Sequence, residues 1–202
     1  MVRKVCIDVD DTVVDFTGPF LEFWNGRYGT GFTCDDILYH NLWLTLGGTR
    51  DDLIAVVREF YATPEHGQLV PIPHAREGLI RLAASCEVHA LTARSVAIRE
   101  ETRAILERHF AGAIREVHCT NAVSVGEVVR TKPDMCRELG MDVIVEDRAE
   151  CAIECAQIGI PAIVLDRPWN RKGIVLDPRL PVVRAADWRE VVAIIESMNP
   201  QG

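Results

Sequence analysis

The fold is decided by the stretch Val5-Cys6-Ile7-Asp8-Val9-Asp10-Asp11-Thr12, where a short apolar run ends in acidic side chains. Side chains alternate between the two faces of a strand, so Asp8 and Asp10 project to the same side, about 7 Å apart. Carboxylates at this spacing repel each other and invite a divalent cation. Taken alone, the pattern is equally typical of a solvated strand end. The rest of the chain has to decide between these interpretations.

Composition describes an ordinary globular protein. The chain has 202 residues, of which 48% are hydrophobic and 26% are charged, and its formal net charge is −8. The first apolar run is interrupted by Asp8, and no stretch reaches the ~20 apolar residues that span a bilayer. Lys and Arg form no basic run, which argues against a nucleic-acid partner. We expect a cytoplasmic protein without a membrane partner, and its oligomeric state stays open, with a homodimer as one alternative.

Cysteines and histidines show no metal-ligand spacing along the chain. The seven cysteines include no C-x-x-C motif, so we expect reduced thiols rather than a zinc site or a disulfide framework. None of the six histidines stands at a metal-ligand spacing, and those at 74, 89, 109 and 118 are expected to be structural or exposed.

Short β-rich apolar runs predict a parallel sheet. The five runs are Val5–Val9, Val88–Leu91, a weaker Glu116–Cys119, Val143–Val145 and Ala162–Leu165. Such short runs with few polar interruptions are typical of strands that are buried on both faces. Helical patterns lie between or after them, over 75–84, 95–110, 148–158 and about 187–198. This alternation predicts an α/β fold with a doubly wound parallel sheet.

The segment between the first two strands is longer than a simple crossover requires. It contains one helical pattern with aromatic residues at four-residue intervals, which are Phe16, Phe20, Trp24 and Tyr28. A second pattern begins at a Thr49 N-cap. We therefore predict a small α-helical cap over 14–70, inserted after the first strand, and a core domain formed by 1–13 and 71–202.

The candidate functional residues follow the carboxyl ends of the strands, where ligands bind in open α/β sheets. Thr92 and Arg94 follow the second strand, and Glu146 and Asp147 follow the fourth. Lys132 opens the helix that precedes that fourth strand. Each residue by itself could be a helix start or a solvated strand end. Together they place acids, a hydroxyl and a lysine at one edge of the sheet.

In their order along the alternating strands and helices, these motifs resemble those of the haloacid dehalogenase (HAD) superfamily of phosphohydrolases. Asp8 and Asp10 match its first motif, Thr92 its second, Lys132 its third, and Glu146–Asp147 its acidic fourth. The resemblance runs from about residue 3 to about residue 165. It implies a HAD-like Rossmannoid core with a cap at one of the usual insertion points.

The resemblance also implies a Mg²⁺-dependent phosphomonoesterase. Asp8 would attack phosphorus and form an aspartyl-phosphate, while Asp10 would serve as acid and then as base. The metal would be held by Asp8, the backbone carbonyl of Asp10, and one acid of the fourth motif, Glu146 or Asp147.

Three further residues are expected to bind the substrate. The Thr92 hydroxyl and the Lys132 ammonium would bind phosphoryl oxygens in the transition state. Arg94 is a candidate contact to the substrate phosphate, although a surface charge is the alternative interpretation.

Beyond the superfamily motifs, the chain resembles the 5′(3′)-deoxyribonucleotidase group. The likeness lies in Asp15-Phe16, Pro71-Ile72-Pro73-His74-Ala75, Asp187-Trp188-Arg189-Glu190 and the segment Leu165-Asp166-Arg167-Pro168-Trp169-Asn170-Arg171. It implies a nucleoside monophosphate substrate, with Phe16 lining the nucleoside pocket. The chain departs from the eukaryotic members at Asp11-Thr12, where a Gly-led pair is usual.

Two alternatives to a nucleotidase stay open. The same catalytic set could hydrolyse another small phosphorylated metabolite, such as a sugar phosphate or a carboxylated phosphate. A different class of protein, a non-catalytic phosphoacceptor of the receiver type, also gathers acids, a Thr and a Lys at the carboxyl edge of a parallel sheet. The long insertion after the first strand argues against the receiver.

Overall fold

A computed structural model describes residues 1–124 and 128–199 of the protein. Six parallel strands form one sheet in the order β3-β2-β1-β4-β5-β6. The strands are β1 (Lys4–Ile7), β2 (Glu87–Thr92), β3 (Glu116–Cys119), β4 (Val143–Glu146), β5 (Ala162–Leu165) and β6 (Val182–Ala185). The helices are α1 (Thr17–Tyr28), α2 (Trp43–Leu46), α3 (Arg50–Tyr61), α4 (Ala75–Ala83), α5 (Arg99–Phe110), α6 (Lys132–Leu139), α7 (Ala149–Gln157) and α8 (Trp188–Ser197).

The doubly wound α/β prediction is confirmed, and β1 is at the centre of the sheet. It pairs in parallel with β2 on one side and with β4 on the other. Val5 and Ile7 are fully buried because helices cover both faces of the sheet. This order brings the carboxyl ends of β1, β2 and β4 side by side, so the residues that follow them share one edge.

The two faces of the sheet carry separate apolar clusters. Helices α4, α5 and α8 cover the face that carries Val5 and Ile7, while α6 and α7 cover the face that carries Cys6. Helix α4 lies close to α8 at Gly78, where a Cβ atom would lie 2.8 Å from the ring of Trp188. The Trp188 indole donates a hydrogen bond to the Thr12 carbonyl at 2.7 Å, which ties α8 to the loop after β1.

Helices α1, α2 and α3 lie between β1 and β2, as the inserted helical cap predicts. Phe16 and Phe20 stack with ring centroids 5.6 Å apart, and both meet the edge of Phe60 from α3. Tyr28, at the end of α1, is 48% exposed. Thr49 caps α3 by accepting a hydrogen bond from the Asp52 backbone. The boundaries at 14 and 70 stay predictions.

The structure differs from the sequence-based expectation in a few elements. It adds β6, which follows Pro181 at the far edge of the sheet, and it ends β1 at Ile7 rather than at Val9. The predicted helix over 95–110 begins with a 3₁₀ turn, Val96–Ile98. All seven cysteines are free thiols. Among the described residues, every helix falls short of the length and apolar character needed to cross a membrane.

Candidate active site

Lys132 lies between two carboxylates at the carboxyl edge of the sheet. It is the first residue of α6, whose N-cap is Thr131. Its ammonium nitrogen lies 2.6 Å from Asp8 Oδ1 and 2.6 Å from Glu146 Oε2. Burial alone would lower the pKa of Lys132, but the negative charges of Asp8 and Glu146 raise it well above its ordinary value. The lysine is therefore held in its charged form between residues from β1 and β4.

Three acids form a buried cluster around this lysine. Asp8, Glu146 and Asp147 each offer a carboxylate oxygen, and these oxygens lie within 4.8 Å of one another. Burial and the neighbouring Glu146 charge raise the pKa of Asp8 to about 7, although Lys132 opposes the shift. The same two causes raise the pKa of Asp147 well above its ordinary value. We call this cluster with Lys132 the acidic centre.

The acidic centre has the composition of a magnesium site. Its donors are all carboxylate oxygens, which are the ligands that Mg²⁺ prefers. Glu146 already pairs with Lys132, whereas Asp147 accepts a hydrogen bond at 2.7 Å from the neutral indole of Trp169. Of the two fourth-motif acids, Asp147 is therefore the better placed to join Asp8 in holding a cation.

Trp169 and Asn170 position Asp147, and sequence reasoning assigned neither of them a role. They belong to a 3₁₀ turn, Pro168–Asn170, that follows β5. The Asn170 amide donates to the Asp147 carbonyl at 2.6 Å and to the Leu165 carbonyl at 2.8 Å. In the sequence this segment carries only a family resemblance, because nothing in its spacing links it to an acid 22 residues earlier.

Asp10 is paired with Arg94 in a two-pronged ion pair. The Arg94 Nε and Nη2 atoms lie 3.0 and 2.6 Å from the two Asp10 carboxylate oxygens. Its Nη1 atom donates to the Thr102 hydroxyl at 3.1 Å, and its guanidinium lies over the Tyr61 ring. The Arg94 side chain is fully buried. This geometry favours a role in holding Asp10, not the direct contact with substrate phosphate that the sequence suggested.

Thr92 ends β2 next to this ion pair. It is fully buried, and its hydroxyl oxygen accepts a hydrogen bond from the Arg94 backbone at 3.2 Å. Ala93, its neighbour, lines the cavity described below. The hydroxyl hydrogen of Thr92 is left to donate to an oxygen at the sheet edge.

Asp11, which stands where a Gly-led pair is usual in the eukaryotic members, caps α1. Its carboxylate accepts hydrogen bonds from the backbone N–H groups of Phe16 and Thr17 at 3.0 and 2.9 Å, and from the Thr17 hydroxyl at 2.6 Å. Its φ of 57° lies in the left-handed region, which favours glycine but tolerates Asp. Burial raises the pKa of Asp11 to about 6, against the opposing hydrogen bonds from Thr17.

A cavity of about 450 Å³ opens between the acidic centre and the inserted helices. Its walls carry aromatic side chains, including Phe16, Trp43 and Tyr61, and cationic ones, including Arg50 and Arg130. The predicted residues Asp8, Asp10, Lys132, Glu146 and Asp147 all line it. The structure thus brings the predicted acids, lysine and Phe16 to one cavity, while Thr92 and Arg94 lie behind its wall.

Arg50 joins the inserted helices to the core across this cavity. It opens α3, and its guanidinium donates to the Ala122 carbonyl at 2.5 Å. Ala122 follows β3 and also lines the cavity. The contact fixes one edge of the cap against the loop that follows β3.

Two comparisons relate this chain to nucleotidases. The family model described as 5′ nucleotidase, deoxy (pyrimidine), cytosolic type C protein matches residues 1–199. A relative from Clostridium acetobutylicum that is named a nucleotidase is 21% identical over 198 residues, which cover 96% of this chain and 94% of the relative.

Solved structures of HAD hydrolases share the fold. A HAD family hydrolase from Deinococcus radiodurans with bound phosphate and sodium has a TM-score of 0.64 at 15% identity, covering 98% of this chain and 96% of that one. L-2-haloacid dehalogenase from Xanthobacter autotrophicus has a TM-score of 0.64 at 13% identity, covering 98% and 100%. The chain belongs to the HAD-like nucleotidase family of the cytosolic type C 5′ nucleotidases, a family of phosphatases.

Proposed function

We propose that the protein is a Mg²⁺-dependent phosphomonoesterase that hydrolyses nucleoside monophosphates, including deoxyribonucleoside 5′- or 3′-monophosphates, through an aspartyl-phosphate on Asp8. The observation that carries the proposal is the buried acidic centre at the floor of an aromatic cavity. Three carboxylates in one buried cluster cost stability unless a cation joins them. A phosphate ester beside Mg²⁺ is the ligand that such a site serves.

Asp8 is the proposed nucleophile, because it lies in the acidic centre and faces the cavity. Its oxygen forms a bond to phosphorus as the ester P–O bond breaks, and Asp10, which takes up a proton from solvent before this step, gives it to the departing oxygen. Water then attacks the phosphorus of the aspartyl-phosphate and gives a proton to Asp10, which frees Asp8 and phosphate. The Arg94 pair holds Asp10 in place for both transfers.

The other residues of the site bind and orient charge. When bound at Asp8 and Asp147, Mg²⁺ supplies positive charge that offsets the repulsion between an anionic nucleophile and an anionic ester. Lys132, which lines the cavity, offers a donor to the equatorial phosphoryl oxygens, while Thr92 lies behind the cavity wall. Glu146 keeps Lys132 at the sheet edge through its 2.6 Å contact.

The inserted helices supply the proposed nucleoside pocket. Phe16 lines the cavity, yet it also packs within 5.6 Å of Phe20 and of Phe60. It is therefore supported from behind by aromatic packing, so one part of its ring can meet a base. Tyr61 and Trp43 extend the same aromatic wall.

A substrate panel tests the proposal. Nucleoside 5′- and 3′-monophosphates, sugar phosphates and phosphorylated carboxylic acids are assayed for phosphate release with Mg²⁺ and with EDTA. We expect Mg²⁺-dependent hydrolysis and the highest kcat/KM for a nucleoside monophosphate. A higher kcat/KM for a sugar phosphate or a phospho-carboxylate would replace the substrate class and keep the chemistry. No hydrolysis of any member with Mg²⁺ bound would contradict the enzyme itself.

A further inference from the structure

A second cluster of metal-binding side chains lies on the sheet, outside the acidic centre. His89 of β2 and the pair Glu116 and His118 of β3 occupy the same face, because β2 and β3 pair in parallel with His89 opposite Glu116. One ligand atom from each residue lies within 4.8 Å of the others. The histidines are 29 residues apart in the chain, which is why no spacing in the sequence revealed them.

The two imidazole rings share a hydrogen bond, and an ion bound by both would replace the proton between them. His89 Nδ1 lies 3.1 Å from His118 Nε2, and His118 Nε2 lies 3.8 Å from Glu116 Oε2. An ion about 2.1 Å from both nitrogens subtends an angle of about 95° at this separation. That angle lies between the octahedral and tetrahedral values. The rings must therefore turn from pointing at each other to pointing at the shared ion.

The second nitrogen of His89 lies near another carboxylate. His89 is 6% exposed, and its Nε2 atom is buried without a hydrogen-bond partner among the described residues. Nε2 lies 3.7 Å from Glu87 Oε2. If Nδ1 binds an ion, Nε2 must carry the ring proton, and a carboxylate in this place is the usual orienting partner of a metal-bound histidine. An ion at Nδ1 would therefore place the ring proton on Nε2, on the side of Glu87.

We propose that His89, Glu116 and His118 form a second metal site, which binds a transition-metal ion such as Zn²⁺, with Glu87 as the residue that orients His89. Two imidazoles and one carboxylate suit Zn²⁺ or Co²⁺, whereas Mg²⁺ prefers oxygen ligands alone. The two sites of the protein thus differ in ligand type, and each selects a different ion.

Ion binding here links the edge of the sheet to its interior. β3 is an edge strand, and its neighbour β2 pairs with the central β1. Side chains from β2 and β3 would share one ion, which adds a cross-link beside the backbone hydrogen bonds between them. Thr120, just after β3, lines the cavity, so the cross-link also steadies one wall of the site.

Cobalt titration of the whole protein tests this site. Co²⁺ is added in the presence of millimolar Mg²⁺, which occupies the oxygen-only centre, and the visible d–d absorption reports nitrogen ligands. We expect one equivalent of Co²⁺ to bind and Zn²⁺ to displace it. His89→Ala and His118→Ala should weaken Co²⁺ binding by at least ~100-fold, and Glu87→Gln by about 10-fold, since orienting partners contribute ~10–100-fold.

Matched variants keep the test decisive. His74→Asn removes an exposed imidazole elsewhere, at a left-handed position that tolerates Asn, and should bind Co²⁺ as the wild type does. Glu116 is 60% exposed in its side chain, so Glu116→Gln should fold normally and still weaken binding, even if the histidine variants do not fold. Equal binding by wild type and Glu116→Gln, a thiolate charge-transfer band, or no binding at all would overturn the proposal.

Discussion

Asp8 and Asp10 stand two residues apart at the end of β1, yet each meets a cation from a different part of the chain. Asp8 shares Lys132 with Glu146, so one positive charge is divided between two carboxylates. Asp10 has both oxygens paired with the guanidinium of Arg94. The region around Asp8 is therefore left with excess negative charge and room for a cation, whereas the charges around Asp10 balance. Two acids that are neighbours in sequence can thus have separate roles. Asp8 attracts a metal, whereas Asp10 is held in a fixed geometry.

Asp8→Asn should have the largest effect on this comparison. The amide cannot attack phosphorus, so kcat should fall by at least ~10⁴-fold, the scale seen when a nucleophile is removed. The measurement is phosphate release from the best substrate at saturating Mg²⁺. Asp51→Asn, at an exposed position in α3, should keep full activity. A fall in kcat of much less than ~10⁴-fold in Asp8→Asn would show that Asp8 is not the nucleophile.

Lys132→Ala removes the one positive charge that contacts both Asp8 and Glu146 among the described residues. We expect kcat to fall by about 10²–10³-fold, because a preorganised donor to the phosphoryl oxygens is lost. Steady-state kinetics measure the change, and Lys172→Ala, an exposed lysine, is the control. A change confined to KM would instead indicate a role in ground-state binding alone.

Arg94→Ala tests the region around Asp10, where the charges balance. Truncation leaves the Asp10 carboxylate and the Thr102 hydroxyl without their buried partner, and should lower the free energy of unfolding by about 3 kcal/mol. Urea denaturation measures it. Arg94→Lys keeps the charge without the two-pronged geometry, so it should recover only part of the stability. If Lys recovered all of it, the paired geometry would have no importance.

The pH dependence of stability reports the excess charge around Asp8. Burial and Glu146 raise the pKa of Asp8 from 3.8 to about 7, so between these values the folded protein holds a proton that the unfolded chain has lost. Stability contributed by this group is therefore greatest at low pH, falls as the pH rises through that window, and is constant above it.

In EDTA, this loss should amount to about 3 kcal/mol for the wild type relative to Asp8→Asn. Urea midpoints at several pH values between 4.5 and 7.5, roughly spanning the shifted range, measure it. Added Mg²⁺ should flatten the wild-type dependence, because the cation replaces the proton. If the stability of the two proteins had the same pH dependence, the region around Asp8 would not carry excess negative charge.

Asp11→Gly should have the smallest effect. It tests whether the third acid of the run, unlike Asp8 and Asp10, has only a structural role. Glycine suits the left-handed backbone at this position, but the hydrogen bonds to Phe16 and Thr17 are lost. We expect the free energy of unfolding to fall by about 1 kcal/mol, the usual contribution of a helix cap, and kcat to change less than about threefold. A loss comparable to that of Asp8→Asn would give Asp11 a chemical role.

The sheet and the acids could be predicted from the sequence because their signals are local. The run from Ala162 to Leu165 is apolar and β-branched, and the structure ends β5 at the same residues. The strand β6 was missed, because Val182–Ala185 includes Arg184 and its exposed positions weaken the apolar signal. Edge strands need less burial, so their sequences resemble loops.

The contacts within the site could not be predicted, since they depend on tertiary packing. Arg94 and Asp10 are 84 residues apart, and only the pairing of β1 with β2 brings them together. The same holds for the indole of Trp169, which reaches Asp147 across 22 residues. Sequence shows which side chains follow each strand, but it does not show which cation each acid receives.

The hydrogen bond from Trp188 to the Thr12 carbonyl joins residues that are 176 positions apart. During translation, the loop after β1 therefore leaves the ribosome long before α8, which carries Trp188, has been made. Throughout most of translation the loop beside Asp8 lacks this last bond, and β1 also waits for its partner β4. The growing chain can thus expose acids and apolar strand to the cell for most of its synthesis. The loop beside Asp8 gains this bond only after Trp188 has been made and has docked.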